Sequence, residues 1–282
     1  MPDIFNLIAR WWKRMLAVMV LSLLVVGIIT FLKPLQYLSV TTAVPASSYA
    51  SDKGKIFNEN IRELYSTLGT TDDLDMILGT ANLDTVYLFV TDQFNLFDHY
   101  KMKERGDAAR PKAALLLKKN TKVMKSEYGE LKVKVWDTDK NLAPQLANAI
   151  MEKLQDIHQN LQGAGNEATL NGLKLGQQKI IMQIDSINAS MEKAITGGGD
   201  MNRSMARRNI LDSQLHQYEK LITEYQLMVD SKPPVLHVVE IAKPSPWPDR
   251  PRRMQIMIAT AILSFLFALL AALILERRKI SR

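Results

Sequence analysis

Two long apolar runs decide the fold of this chain: MLAVMVLSLLVVGIITFL at residues 15–32 and MQIMIATAILSFLFALLAALIL at residues 254–275. The first run has 18 residues and no charge, and the second has 22 residues, also without a charge. As helices they would be roughly 27 and 33 Å long, close to the roughly 30 Å hydrocarbon core of a bilayer. We therefore predict two transmembrane helices, at 15–32 and 254–275, on either side of an aqueous domain at 33–253.

The short tails outside the two runs are basic. They carry Arg10, Lys13, Arg14, Arg277, Arg278, Lys279 and Arg282. Basic residues in short flanks stay on the cytoplasmic side of a membrane, so the pattern predicts cytoplasmic tails at 1–14 and 276–282 and a periplasmic domain at 33–253. The arginines just before the second run favour the opposite orientation, but they end a long segment, and long segments translocate largely regardless of charge.

The first run could instead be the apolar core of a cleaved signal peptide, which is usually about 7–15 residues long. This run is longer, and the stretch Phe31-Leu32-Lys33-Pro34 lacks the small residues of a cleavage site. We therefore expect the run to be retained as a membrane anchor.

Composition argues against nucleic-acid binding. The chain carries a net charge of +7 and no cysteine. Much of the positive charge lies beside the apolar runs, where it sets membrane orientation, and no nucleic-acid-binding motif accompanies it. We expect a chain that binds the lipid bilayer and no nucleic acid. The lack of cysteine is compatible with a periplasmic domain without disulfides.

Strands at both ends of the central segment predict one small sheet. Residues 34–46 alternate apolar and polar, as a half-buried strand does, with Leu38, Val40 and Thr42 on one face. Residues 235–242 alternate in the same way and would return the chain beside that first strand.

A strand, a turn and a helix follow one another in the middle of the chain. Residues 131–137 (LKVKVWD) alternate strictly, the acidic stretch 137–139 turns the chain, and Pro144 lies where a first helical turn tolerates proline. The helix that follows has apolar positions up to Leu161. This order predicts an α/β base that comprises residues 34–162 and 233–243.

Four other stretches are less regular. Residues 57–68 have helical spacing, 70–83 predict a pair of short helices, and 101–112 are polar and predict a loop. The apolar run 86–90 is either a strand or a turn of buried helix, since short runs do not distinguish the two.

Two stripes in heptad spacing predict a helical hairpin. The first stripe is Leu170, Leu173, Gln177, Ile180, Ile184, Ile187 and Met191, and the second is Leu211, Leu215, Tyr218, Ile222, Tyr225 and Val229. The glycines at 197–199 should end the first arm. We predict an antiparallel hairpin at 166–230 with arms of about 25–30 residues that stands off the membrane, the alternative being an ordinary helical core. Upstream, Gly163 and Gly165 either break the preceding helix or only soften it.

A proline-rich segment leads into the second apolar run. It contains Pro244, Pro246, Pro248 and Pro251 within residues 244–251. Such a density of proline gives an extended, stiff chain that cannot be helical. We expect it to set the angle at which the second transmembrane helix begins.

Motifs for catalysis or cofactor binding do not occur in the sequence. It contains no GxxxxGK[ST], GxSxG or HExxH pattern, and its four histidines lack metal-ligand spacing. The acidic cluster Asp72-Asp73-Asp75 lacks the glycine and distant glutamate of a calcium loop. We therefore expect no catalytic, cofactor or metal site, and a protein that is not an enzyme.

Stretches along nearly the whole chain resemble the polysaccharide co-polymerases, also called the Wzz-type chain-length determinant proteins. They are LQYLSVTTAVP (35–45), LKVKVWDTDKNLAPQLANAIMEKL (131–154), the helical middle, and VVEIAKPSPWPDRPRR (238–253). Pro144, Ala147 and Asn148 stand in the region of the family's base helix, and the proline-rich stretch is the most specific part. The prolines here are spaced P-x-P-x-P-x-x-P, whereas the family commonly has P-x-x-P-x-x-P.

The resemblance implies an α+β membrane protein with two transmembrane helices, a small membrane-proximal α/β base and an extended antiparallel helical hairpin. It also implies a homo-oligomer of the bacterial inner membrane, without catalytic activity. Such a protein acts with a separate polymerase or export machine to set the length of O-antigen, capsule or exopolysaccharide chains. The seven residues 276–282 leave no room for a fused tyrosine-kinase domain, so a cytoplasmic kinase would be a separate partner.

Basic residues of the hairpin are candidates for contacts with neighbouring subunits or an acidic glycan: Lys174, Lys179, Arg207 and Arg208. The alternative for all four is an ordinary solvated helix surface. For the whole chain, the main alternative is a periplasmic adaptor or scaffold of an envelope export complex. A two-span sensor would need a cytoplasmic signalling module, and a membrane-bound hydrolase would need the catalytic motifs that do not occur.

Overall fold

A computed structural model describes residues 4–46, 71–102, 108–197 and 201–280. Its helices are α1 (Ile4–Leu32), α2 (Thr71–Ala81), α3 (Asp84–Gln93), α4 (Leu96–His99), α5 (Ala109–Lys119), α6 (Leu142–Gly197), α7 (Met201–Ser231) and α8 (Arg253–Ile280). Its strands are β1 (Tyr37–Pro45), β2 (Thr121–Lys125), β3 (Leu131–Asp137) and β4 (Leu236–Glu240). The fold is mostly helical with a small sheet, and the two apolar runs and the long hairpin form helices as predicted.

The chain divides into two compact units. The terminal unit is Met1–Val40, Lys134–Ala147 and Ala242–Arg282, and the central unit is Thr41–Val133 and Asn148–Ile241. The membrane helices therefore form one unit with the residues that adjoin them in the chain and with Lys134–Ala147 from the middle of the chain. The sequence-based segment boundaries and their membrane sides stay predictions.

In the terminal unit, α1 and α8 are the two candidate membrane spans. The segments Ala9–Leu32 and Arg253–Glu276, each of 24 residues, are long and apolar enough to cross a bilayer. The helices pack together through small side chains, since Ala268 and Ala272 are almost fully buried in α8. Gly27 of α1 faces α8, because a Cβ built there would be in ordinary contact with the Met257 side chain, 3.9 Å from its Sδ. Small residues at such contacts are typical of helix pairs in membranes, where close packing replaces the hydrophobic effect.

The sheet has the order β2-β3-β1-β4. Strands β1 and β4 are antiparallel, with Val44 opposite His237 and Pro45 opposite Leu236, and the register is irregular between Thr42 and Ala43. The predicted pairing of the first strand with the returning chain is thus confirmed. Strand β2 was not predicted, because its five residues, TKVMK, include two lysines and give too short an alternation to stand out.

The buried side of β1 carries small residues. Leu38 and Val40 are half-buried, whereas Ser39, Thr41 and Ala43 are buried. The hydroxyls are satisfied by the returning chain: Ser39 Oγ donates to the carbonyl oxygen of Lys243 at 3.0 Å, and Thr41 Oγ1 to that of Glu240 at 2.9 Å. Because these hydroxyls have partners, their burial does not carry the penalty of an unpaired polar group.

Short helices form the rest of the core of the central unit. Residues 86–90 are helical, within α3, and not a strand. The predicted pair of short helices at 70–83 is a single helix, α2, as far as the described residues go, and the helix predicted at 57–68 lies outside the described residues. The loop predicted at 101–112 is too long, since α5 begins at Ala109. Core side chains with zero exposure are Leu74, Ile77, Val86, Val90, Leu96 and Leu117.

Helix α6 joins the base to the hairpin without interruption. It has 56 residues, because the predicted base helix and the predicted first arm of the hairpin form one continuous helix. Gly163 and Gly165 therefore soften the helix without breaking it. Each costs only about 1 kcal/mol relative to alanine, and fully buried residues of the same helix, such as Leu146, Ile150 and Leu154, anchor its first half.

The two arms, α6 and α7, pack along the predicted stripes. Leu170 and Ile180 of α6 and Leu211 of α7 are buried on the stripes. Across the arms, Lys174 Nζ donates to Gln226 Oε1 at 3.1 Å. Gly176 packs against the other arm, and a Cβ built there would lie 2.5 Å from Tyr218 Cε1. The antiparallel hairpin is therefore confirmed, and any side chain at position 176 requires the Tyr218 ring to move.

We expect Gly176→Ala to destabilise the hairpin by about 1 kcal/mol. Alanine gains up to about 1 kcal/mol of helix propensity, but overpacking against the Tyr218 ring costs about 1–3 kcal/mol. Gly172→Ala is the matched control, because its Cβ meets nothing within 4 Å and only the gain remains. The measurement is chemical unfolding of the full chain in detergent, followed by circular dichroism. In a Tyr218→Ala background, Gly176→Ala should become stabilising, and the same loss there would contradict the packing explanation.

Candidate functional site

The candidate site is the junction where the proline-rich segment meets the base of the terminal unit. Its central residue is Trp136, near the end of β3, and only 7% of its surface is exposed. The alternation of β3 breaks at this end, because Val135, Trp136 and Asp137 are all buried. A buried tryptophan needs a partner for its indole N–H, and the proline-rich segment supplies it.

Two residues of the segment hold the indole ring. Trp136 Nε1 donates to Asp249 Oδ2 at 2.8 Å. The guanidinium of Arg250 lies over the ring, 3.7 Å from its centroid. The ring therefore accepts a cation–π contact on its face and donates a charge-assisted hydrogen bond from its edge.

Backbone hydrogen bonds fix the same segment to the end of the first membrane helix. Gln36 N donates to the oxygen of Arg250 at 2.9 Å, and Asp249 N donates to the oxygen of Gln36 at 2.9 Å. Close by, the guanidinium of Arg253 lies 4.4 Å from the ring centroid of Phe31. The chain that has left α1 is thus paired with the chain that is about to enter α8, a few residues from the end of one helix and the start of the other.

Asp249 is held in its charged form. The hydrogen bond from Trp136 lowers the pKa of the Asp249 carboxyl, and Arg252, 3.2 Å away, and Arg250 lower it further. Burial raises the pKa, but its effect is smaller than that of the hydrogen bond from Trp136. The junction is therefore stabilised by a charge-assisted hydrogen bond, by ion pairing and by packing.

We expect the junction to weaken in acid. Because the folded-state pKa of Asp249 is lowered from 3.8, its carboxylate contributes stability that is fully present above that value and is lost as the pH falls through the folded-state pKa. The measurement is the unfolding midpoint of the wild type and of Asp249→Asn between neutral and strongly acidic pH. The difference between them should shrink below the normal pKa of aspartate, and a difference that stays constant would contradict this role.

The four prolines do not make the side-chain contacts of the junction. Pro244, Pro246 and Pro248 are exposed and Pro251 is half-buried. The residues that sequence reasoning missed are Gln36, Trp136, Asp249 and Arg250. An acidic–basic pair embedded among the prolines, together with a tryptophan ending a strand, is the signal that could have indicated them.

The predicted residues of the base helix lie in its first two turns. Pro144 is buried in the first turn of α6, and Ala147 has zero exposure. Upstream, Asp137 Oδ1 accepts a hydrogen bond from the Asp139 N–H at 2.8 Å, which forms the predicted acidic turn. Asn148 is half-buried. These residues position β3 and α6 relative to each other, and any further role stays a prediction.

The basic residues of the hairpin are not gathered into one cluster along the chain. Lys174 donates to Gln226 across the arms, and Arg208 forms a 3.8 Å ion pair with Asp212 on its own helix. Lys179 and Arg207 are exposed. Two of the four candidates therefore have partners within the hairpin, and the proposed contacts with neighbours or glycan remain predictions.

A second link joins α1 and α8 near their other ends. Arg10 forms an ion pair with Glu276 at 2.6 Å, and Trp11 Nε1 donates to the other carboxylate oxygen at 3.0 Å. Glu276 was not singled out in the sequence, because it follows the apolar run among basic residues. The two helices are thus linked near the chain termini by Arg10, Trp11 and Glu276, and at their other ends by the pairing of Gln36 with Arg250.

Among the described residues, no group of three or more acidic, histidine or cysteine side chains could hold a metal ion.

No protein-family model matches this chain, and no curated protein matches it significantly. Solved structures are similar to it, among them two of polysaccharide co-polymerases. One is a full-length bacterial polysaccharide co-polymerase, with 12% identity and a TM-score of 0.41 over 100% of this chain and 98% of that one. The other is a fragment of WzzB, a polysaccharide co-polymerase from Salmonella Typhimurium, with 12% identity and a TM-score of 0.35 over 77% of this chain and 100% of that one. These values are too low for either structure to assign the function of this chain.

Proposed function

We propose that this chain is a non-catalytic polysaccharide co-polymerase, which regulates the chain length of a surface polysaccharide together with a separate polymerase or export machine. The observation that carries the proposal is the junction. A proline-rich segment, the most specific part of the sequence resemblance, is fixed to the base through Trp136, Asp249 and Arg250 just before the second membrane helix.

The proposal includes a location and an orientation. Two apolar helices of membrane-spanning length support a location in a membrane. We place it in the bacterial inner membrane, with both tails in the cytoplasm and the domain between the helices in the periplasm. Basic residues of the N-terminal tail support this orientation, and Trp11 near the start of the candidate span Ala9–Leu32 suits the membrane interface.

The proposed partners are copies of the same chain, the polymerase or export machine, and a separate cytoplasmic tyrosine kinase. The hairpin offers surface for subunit contacts beyond its packed stripes: Leu161, Leu175 and Met182 share one heptad position of α6, 14 and 7 residues apart, and each is at least 60% exposed. Apolar side chains at this spacing form a stripe of the kind that packs against another helix. This supports a homo-oligomer.

A periplasmic adaptor of an export complex is the second candidate. The long hairpin of α6 and α7 is the observation that favours it, because such hairpins suit contacts with a second protein. The membrane helix that follows the proline-rich segment argues against it, since an adaptor needs a single anchor. The two functions predict different effects on the surface polysaccharide.

The test is deletion of the gene for this chain, with the surface polysaccharide resolved by size on a gel. We expect a broadened or shifted chain-length distribution, because synthesis of repeat units continues without length control. An unchanged distribution would contradict the proposal. Polysaccharide retained inside the cell at normal length would instead support the adaptor.

A further inference from the structure

A polar cavity lies between the two arms at the base end of the hairpin. Its volume is about 250 Å³. Four carboxamide side chains line it, those of Gln159, Asn160, Gln162 and Asn166, together with the charged residues Glu167 and Lys232. The amides and Glu167 belong to α6, and Lys232 directly follows α7, so the cavity lies at the base end of the hairpin.

The cavity exists because the packing stripe of α6 changes from large apolar residues to amides and a glycine towards the base. Counting back from Leu170 by the same steps of four and three residues gives Asn166, Gly163 and Gln159. The stripe therefore places two amides and a glycine where large apolar side chains would close the gap between the arms. A Cβ built on Gly163 meets nothing within 4 Å, so the space beside it is open.

The walls of the cavity are held in place. Gln159 Nε2 donates to the carbonyl oxygen of Lys232, which pins the end of α7 against α6. Lys232 itself adopts a left-handed backbone conformation with φ of 41°, which is uncommon for a residue with a side chain. Met228 is 96% buried and provides an apolar wall. The shape is thus set by the hairpin and needs no ligand to form it.

The lining selects for a ligand with many hydroxyl groups. A carboxamide both donates and accepts hydrogen bonds, and a hydroxyl does the same, so the two are complementary. An apolar ligand would offer no hydrogen-bond partner to the half-buried amides of Gln162 and Asn166, which is unfavourable. A strongly charged ligand would meet both Glu167 and Lys232, whose charges oppose each other. The volume is below the roughly 300–1,000 Å³ of pockets for drug-sized ligands, so the ligand is small.

We propose that this cavity binds one hydroxylated sugar ring of the polysaccharide whose length the protein controls. The identity of the glycan rests on the proposed function, whereas the preference for a sugar ring rests on the amide lining. The apolar wall at Met228 would face the C–H side of the ring. Binding one ring of a growing chain would give the protein a direct contact with the polymer.

The experiment is saturation-transfer NMR on the full chain in detergent. The probe is a set of short oligosaccharides, cut from the surface polysaccharide of the producing strain. We expect the wild type to transfer saturation to sugar ring protons. Gly163→Leu should reduce the transfer about tenfold or more, because leucine fills the cavity. It should also strengthen the helix, because leucine has the higher propensity.

Gly172→Leu is the matched control, because Gly172 is an exposed glycine of the same helix with nothing within 4 Å of its Cβ. It should bind like the wild type. Asn166→Leu is a second variant that fills the cavity, and circular dichroism checks that each variant keeps its helix content. Absence of transfer in the wild type would overturn the inference. Transfer in both cavity variants at the level of the wild type would overturn it as well.

The outcome is separable from that of the proposed function. If deletion of the gene shifts polysaccharide length but the wild type shows no saturation transfer, the cavity holds only water and the co-polymerase proposal stands. If oligosaccharides bind but deletion leaves the length distribution unchanged, the cavity is a sugar site in a protein with another role.

Discussion

Replacing Trp136 by alanine is expected to destabilise the terminal unit by about 3–5 kcal/mol, the usual loss for a buried tryptophan. The variant loses three contributions at once. These are the burial of the ring, the hydrogen bond to Asp249, and the contact with the Arg250 guanidinium. Without the ring, the Asp249 carboxylate also loses the main cause of its lowered pKa.

Trp136→Phe separates these contributions. Phenylalanine keeps an aromatic face for Arg250 but has no N–H for Asp249, so its loss should be about 1.5–3 kcal/mol, the value of a hydrogen bond to a charged group. Chemical unfolding of the full chain in detergent measures both variants. The expected loss for Trp136→Ala is about 3–5 kcal/mol. A measured loss below about 1 kcal/mol for this variant would show that the junction does not stabilise the unit.

Single cysteines are expected to label from opposite sides of the membrane. The chain contains no cysteine, so any introduced one is the only target of a membrane-impermeant maleimide. Tyr128 is 88% exposed in the domain between the spans, and Lys13 is exposed just before the charge-free run at 15–32. In spheroplasts Tyr128→Cys should label fully, whereas Lys13→Cys should label only after lysis, because basic flanks stay in the cytoplasm.

The wild type is the control for this labelling, since it should give no signal before or after lysis. The reverse pattern, with Lys13→Cys labelled in intact spheroplasts and Tyr128→Cys protected, would contradict the proposed orientation. Labelling of both residues in intact spheroplasts would contradict the crossing of the membrane by α1.

Much of the fold follows from periodicity. The apolar runs are helices because a bilayer leaves the backbone no other partner, and strict alternation identifies β3. The heptad stripes identify the arms because each apolar residue recurs on one helix face. For residues 86–90 the sequence does not distinguish a strand from a helix, because a run of five apolar residues has no recognisable period. Only the packing of α3 decides that they are helical.

The contacts of the site could not be predicted in the same way. Trp136 and Asp249 are 113 residues apart, and nothing in the local pattern of either shows that they meet. The prolines were noticeable because proline restricts its own backbone, but the side chains between them make the contacts. The same holds for Glu276, whose partners Arg10 and Trp11 lie at the other end of the chain.

Glycines show the limits of local rules in another way. Gly163 and Gly165 do not break α6, because the loss of about 1 kcal/mol at each is small against the burial on either side of them. Gly176 has the same local cost but a different reason for its presence, the ring of Tyr218. A rule based on the residue type alone cannot separate these cases, since the difference lies in the opposite arm.

The most direct measurement of the central claim is polysaccharide chain length as expression of this chain is switched on in a strain that lacks it. Gel electrophoresis gives the number of repeat units per chain, and sugar analysis gives the total number of repeat units. A co-polymerase without catalytic activity should narrow the distribution around one length while the total stays constant. A total that rises in proportion to expression, at unchanged length, would contradict the account and indicate an enzyme or an exporter.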